Sequence, residues 1–174
     1  MIGFLLDGDV VSARFTPHER AVLVTLAAQL VDMLEKRAAE SPADLLYAQL
    51  GIGGSSAPPL DPALARLLPD AYRGDDEAAS EHRRFTELGL VERKTANARA
   101  VILSLEAEAL DSYEVRLDAA AVQSWLRHIT DVRLVIAARL QIEEDGDEGT
   151  GDDAMLELYD WLGWMQESLV GCLP

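Results

Sequence analysis

The 174-residue chain has one cysteine, Cys172, two lysines, Lys36 and Lys94, and only 6% aromatic residues. A single cysteine excludes an internal disulfide framework and fits a reducing compartment. No apolar run approaches the roughly 18 residues a membrane span needs. The opening residues lack the basic-then-apolar order of a secretory leader, so a cytoplasmic location is expected. Cations are scarce: 15 Lys and Arg stand against 31 Asp and Glu, for a formal charge of −16. Nucleic-acid binders draw most of their affinity from neutralising phosphates, so direct DNA contact is disfavoured by charge. The preference for Arg over Lys, with abundant Ala and Leu, fits the codon bias of a GC-rich genome.

What is present is a globule's share of apolar residues, 49%, at a mean hydropathy of +0.02. That composition excludes wholesale disorder, and the length suits one domain spanning residues 1–174. Leu5-Leu6-Asp7-Gly8-Asp9-Val10-Val11 sets a turn between two short apolar runs and predicts a hairpin whose second strand reaches about Phe15. Thr16-Pro17-His18-Glu19 is a helix start, followed by Leu23, Leu26, Ala27, Leu30 and Leu34 on one face to about Ala39. A short helix is expected after Ser41-Pro42, then a Gly/Pro loop over 51–59, then a short helix from Asp61-Pro62 that Pro69 closes. One long helix follows from about Asp75 to Leu105, with a seam of Leu88, Val91, Thr95, Ala98 and Ile102 and a softening Gly89.

Tyr113 to Leu117 alternates as a strand that should join the hairpin. Asp118 caps a helix to about Ile142, with Val122, Trp125, Leu126, Ile129, Ile136 and Leu140 inward. An acidic, glycine-rich loop over 143–153 leads to a last helix that buries Leu158, Leu162, Met165, Leu169 and Leu173. The expected fold is mainly α: a helical bundle with a small antiparallel sheet.

Motifs for chemistry are missing. His18, His82 and His128 stand far apart, without a second His or Cys at ligand spacing. The acidic loop fails the EF-hand pattern, since Gly149 and Thr150 fall fifth and sixth when counted from Asp145. Gly51 to Ser56 lacks the lysine of a phosphate loop and reads as a flexible surface loop, and no nucleophile elbow appears. No cofactor, no metal and no enzyme activity are expected. An acid-dependent hydrolase assembled from distant carboxylates is the weakest alternative.

Two features point to binding. On the long helix Arg83, Leu90, Lys94 and Asn97 fall in one sector, flanked by Arg84 and Arg93. This is either a cationic stripe for an acidic partner or phosphate backbone, or a set of internal ion pairs. Leu90 within it argues that another element packs there. On the last helix Tyr159, Trp161 and Trp164 widen the apolar face, which suits either an interface, most simply of a homodimer, or burial against the preceding helix.

The run Asp61-Pro62-Ala63-Leu64-Ala65-Arg66-Leu67-Leu68-Pro69-Asp70-Ala71-Tyr72, with Arg83-Arg84-Phe85-Thr86-Glu87 and Arg93-Lys94-Thr95-Ala96-Asn97, resembles an actinobacterial family. The similarity resumes at Trp125-Leu126, Arg133-Leu134-Val135, Leu158-Tyr159-Asp160 and Gln166-Glu167-Ser168-Leu169. That family, first known as a domain of unknown function, is the AosR-type oxidative-stress transcriptional regulators. The resemblance implies a cytosolic, non-enzymatic regulator of transcription without cofactor, acting through protein contacts or as a homodimer on DNA. A structural or adaptor module is the alternative. With Cys172 alone, redox sensing in this chain is limited to an intermolecular disulfide or a sulfenic acid.

Overall fold

The computed structural model describes residues 2–40, 54–72, 74–107, 114–144 and 146–173. Strands β1 (Ile2–Asp7) and β2 (Val10–Arg14) precede helix α1 (Pro17–Ala39). Helices α2 (Pro62–Leu67) and α3 (Asp76–Glu106), strand β3 (Glu114–Leu117), and helices α4 (Ala119–Arg139) and α5 (Asp153–Val170) follow. The fold is mainly α with one three-stranded antiparallel sheet in the order β1-β2-β3. Leu6 pairs with Val11 across the hairpin, and Val11 pairs with Leu117 on the far side. Gly8, at φ +63°, supplies the left-handed residue that the two-residue turn requires. The short helix expected after Ser41-Pro42 lies outside the described residues.

Each described helix begins on a short oxygen-bearing side chain. Thr16 and Glu19 form a reciprocal capping box ahead of Pro17, with the Thr16 N–H donating to Glu19 Oε2 at 2.7 Å. Asp61, Asp75, Asp118 and Asp152 cap the other four, each accepting an N–H two or three residues on. Caps of this kind contribute about 1 kcal/mol apiece and place negative charge at the positive helix end. Part of the acidic excess is therefore structural.

The core forms where the sheet meets α3 and α4. Trp125 stacks on Phe15 at 5.7 Å, and Phe4 meets both rings edge-on. The Trp125 indole N–H donates to Ser104 Oγ on α3 at 2.8 Å, which satisfies the ring's one polar atom. Helix α1 packs on α3, α3 on α4, and α4 on α5. Helix α5 also shields the outer edge of β1, where Phe4 N–H donates to Ser168 Oγ at 2.8 Å.

Several expectations need correction. Helix α4 ends at Arg139 rather than Ile142: Gln141 turns left-handed at φ +58°, and Ile142 N–H closes back onto the Ala137 carbonyl. Helix α5 ends at Val170 with Gly171 as cap, so Leu173 leaves the helical phase and is exposed, while Cys172 turns inward. On α3 the seam is part ionic. Arg83 and Glu87 are buried where Leu88 and Ile102 stand only half-buried. The 51–59 segment, from Gly54 onward, is strapped down rather than a free surface loop. Gly54 N–H donates to the Arg84 carbonyl at 3.1 Å, Arg83 to the Ser56 carbonyl, and Arg37 to the Ala57 carbonyl. A Cβ on Gly54 would lie 2.8 Å from the Arg83 carbonyl oxygen, so glycine permits that close approach.

Candidate functional site

The cations read from the long helix divide into two places. Arg83 is buried near the start of α3, where Nη1 donates to Asp70 Oδ1 and Nη2 to the Ser56 carbonyl at 2.8 Å. Its charge is taken up internally because the segments before α3 fold over it. Arg84 beside it is exposed, with no side-chain partner among the described residues. Arg93, Lys94 and Asn97 lie roughly 15 Å further along the helix at 1.5 Å per residue. There they meet α4.

A groove of about 550 Å³ runs between the two helices, lined by Leu90, Arg93, Lys94 and Asn97 from α3 and Arg127 and Thr130 from α4. Its floor is an ion pair, with Lys94 Nζ 2.5 Å from Asp131 Oδ1. Burial pushes the Asp131 carboxyl above its ordinary value, against the pull of the Lys94 ammonium. Leu90 is half-buried, packs on the core and lines the groove that α3 shares with α4. The sector that looks polar in sequence is thus partly an inter-helix seam, and the surface opposite, with Phe85 and Glu92, faces solvent.

Above the pair stand Arg93 and Arg127, both exposed. Neither has an ion pair or side-chain hydrogen bond among the described residues. Two guanidiniums that line one groove without a carboxylate partner among the described residues leave their donors available. Each presents a planar fork of donors suited to carboxylate or phosphate. Arg127 and Thr130 escape a reading of α3 alone. The available signal was their placement on α4, four residues and one residue before Asp131.

Helix α5 braces the α4 side. Gln166 donates to Thr130 Oγ1 at 3.0 Å and accepts from Arg133 Nη1 at 2.8 Å. The Arg133 guanidinium lies 4.7 Å over the Tyr159 ring, so Tyr159 is engaged within the protein. Trp161 is half-buried and faces a second cleft toward α1. Trp164 is 45% exposed and rests its ring edge near Gly3.

The remaining singled-out groups lie apart. Cys172 is buried and its thiol donates to the Ser168 carbonyl at 3.5 Å. His18 is exposed, and His82 sits against Tyr72 and Thr86. His128 is 2% exposed, and burial pushes its imidazole down to about 4. Among the described residues no three His, Cys, Asp or Glu side chains converge as metal ligands, and no helix is long and apolar enough to cross a membrane.

Fold and groove together define a small, mainly helical protein with an arginine-lined surface between two packed helices. The chain belongs to the family described as Domain of unknown function (DUF2017), whose pattern matches residues 1–173. It is similar to the oxidative stress regulator AosR of Mycobacterium tuberculosis, at 31% identity over 179 residues, covering 94% of this chain and 82% of that protein. The putative oxidative stress regulator AosR of Mycobacterium leprae is 31% identical over 172 residues, covering 88% and 78%. No solved structure gives a significant match. These relatives are named as regulators, and the match extends across the helices that build the groove.

Proposed function

We propose that this chain is a non-enzymatic, cytosolic regulator of transcription in the response to oxidative stress, acting by contact with a protein partner. In this reading the α3/α4 groove receives an acidic segment of that partner. Arg93 and Arg127 fork onto its carboxylates, Asn97 adds a neutral hydrogen bond, and Lys94 holds the two helices in register through Asp131. The observation that carries it is the pair of arginines without carboxylate partners among the described residues of a chain charged −16. Arg84 extends the same exposed cationic character toward the start of α3. The overall charge favours a protein partner over DNA, because a duplex would meet a largely acidic surface. The relatives' names support the regulatory assignment.

Transcript profiling after peroxide exposure tests the reading. A strain carrying Arg93→Glu with Arg127→Glu should lose the response of the wild-type strain while keeping the protein at its normal level. An unchanged response would reject the groove as the working surface.

The exposed Trp164 favours one second reading, an adaptor or homodimer whose interface is α5. Sedimentation of the wild type and Trp164→Ala decides it: a dimer lost in the variant supports that interface, and a wild-type monomer removes it.

A further inference from the structure

Helices α1 and α5 both lean on α4 but hardly touch each other. Between them lies a furrow made of two clefts, of about 340 and 390 Å³, that share Leu158. Val22, Leu26 and Met33 form the α1 wall, Met155, Leu158 and Trp161 the α5 wall, and Val135 of α4 part of the floor. All six wall residues are partly solvent-exposed, so the furrow is apolar surface left open to water. From His18 to Met33 it runs about 22 Å at the helical rise, the length of roughly four turns. Two methionines, Met33 and Met155, give the cleft of about 340 Å³ an adaptable surface.

Charge distinguishes the occupants. The α5 wall begins at the acidic segment, where Asp153 is exposed two residues before Met155 and Asp152, also exposed, caps the helix. Glu157, exposed, lines the other cleft, beside a Glu19 whose carboxylate is engaged in the Thr16 capping box. Among the described residues the one Lys or Arg in the lining, Arg139, is already held by Asp61 at 2.6 Å. A second copy would bring another −16 to this rim, and an acidic helix would meet like charge on both walls.

We propose that this furrow is a docking site for a cationic amphipathic helix of a partner protein, with its apolar stripe seated between α1 and α5 and its Lys or Arg residues against the acidic rim. Such a helix would present anchors at i, i+3, i+4 and i+7. This site is separate from the arginine groove and stands or falls independently of it.

Selection of a charge-unbiased, randomised 16-residue helical peptide library on the full-length protein tests the proposal. Enrichment of Leu- or Met-striped helices bearing Lys or Arg is expected. Their affinity should fall at least tenfold with Met155→Lys, and fall with Glu157→Lys, but hold with Arg93→Glu/Arg127→Glu. Met155 is 38% exposed, so its replacement should leave the fold intact. Enrichment of acidic or extended peptides, no enrichment, or binding indifferent to Met155→Lys would overturn it. So would a homodimer that Met155→Lys dissociates, because the occupant would then be a second copy.

Discussion

Arg37 and Glu87 form a fork-to-fork ion pair inside the protein, with Nε 2.9 Å from Oε1 and Nη2 3.1 Å from Oε2. The two side chains are 5% and 2% exposed. They join α1 to α3, and the same guanidinium reaches the Ala57 carbonyl at 2.6 Å and Glu40 at 3.2 Å. Burial alone would lower the Arg37 value, but the Glu87 and Glu40 carboxylates outweigh it and hold it above its ordinary level.

Removing Glu87 leaves the buried Arg37 guanidinium with only the exposed Glu40 carboxylate and the Ala57 carbonyl. Glu87→Ala should therefore cost about 3–5 kcal/mol, whereas Arg37→Met with Glu87→Leu should recover most of it. Urea unfolding of the three proteins checks this. A single replacement costing under about 1 kcal/mol would mean that water reaches the pair.

His128 gives the protein an acid sensitivity of predictable sign. Its folded value of about 4 lies below the ordinary ~6.5, so the unfolded chain binds the extra proton first. Stability should fall as pH drops from about 6.5 to about 4, by up to roughly 3 kcal/mol. Asp131, one turn further along α4, is raised and works the other way: its native form takes up a proton earlier, which offsets part of the loss. Asp61, held low by the Arg139 hydrogen bond, adds its own loss at still lower pH. Urea midpoints at about pH 7 and about pH 4.5 should converge in His128→Leu relative to wild type. An unchanged difference would assign the acid sensitivity to other groups.

Gly89 lies inside α3, which passes through it as one continuous helix. A Cβ there would meet only Arg93 Nη1, at 4.0 Å. Gly89→Ala should stabilise the protein by about 1 kcal/mol and raise the thermal midpoint by about 2–4 °C. A lower midpoint would mean that α3 must bend at this glycine.

Local signals made most of the fold legible. Thr16-Pro17-His18-Glu19, Asp61-Pro62 and Asp118 start helices where such residues should, and the Asp7-Gly8-Asp9 turn forms its hairpin. Two helix ends were harder, because Gln141 adopts a left-handed conformation usually left to Gly or Asn, and α5 ends on a glycine cap before Leu173. The buried ions were hidden for a different reason. Arg37 and Glu87 are 50 residues apart, Lys94 and Asp131 are 37 apart, and no helical period marks either pair. The groove was half legible: Arg93, Lys94 and Asn97 share one helix face, but Arg127 joins them only through the packing of α4 on α3.

Affinity recovery from cytosol, with tagged wild type beside Arg93→Glu/Arg127→Glu and Arg83→Glu, tests the central claim most directly. The wild type should retain a protein of the transcription machinery at low salt and release it at high salt. The double variant should lose that partner with its thermal midpoint within about 2 °C of wild type, because both arginines are exposed. Arg83→Glu should lose stability first, because Asp70 and the Ser56 carbonyl hold that side chain inside the fold. Equal recovery by wild type and the double variant would contradict the account.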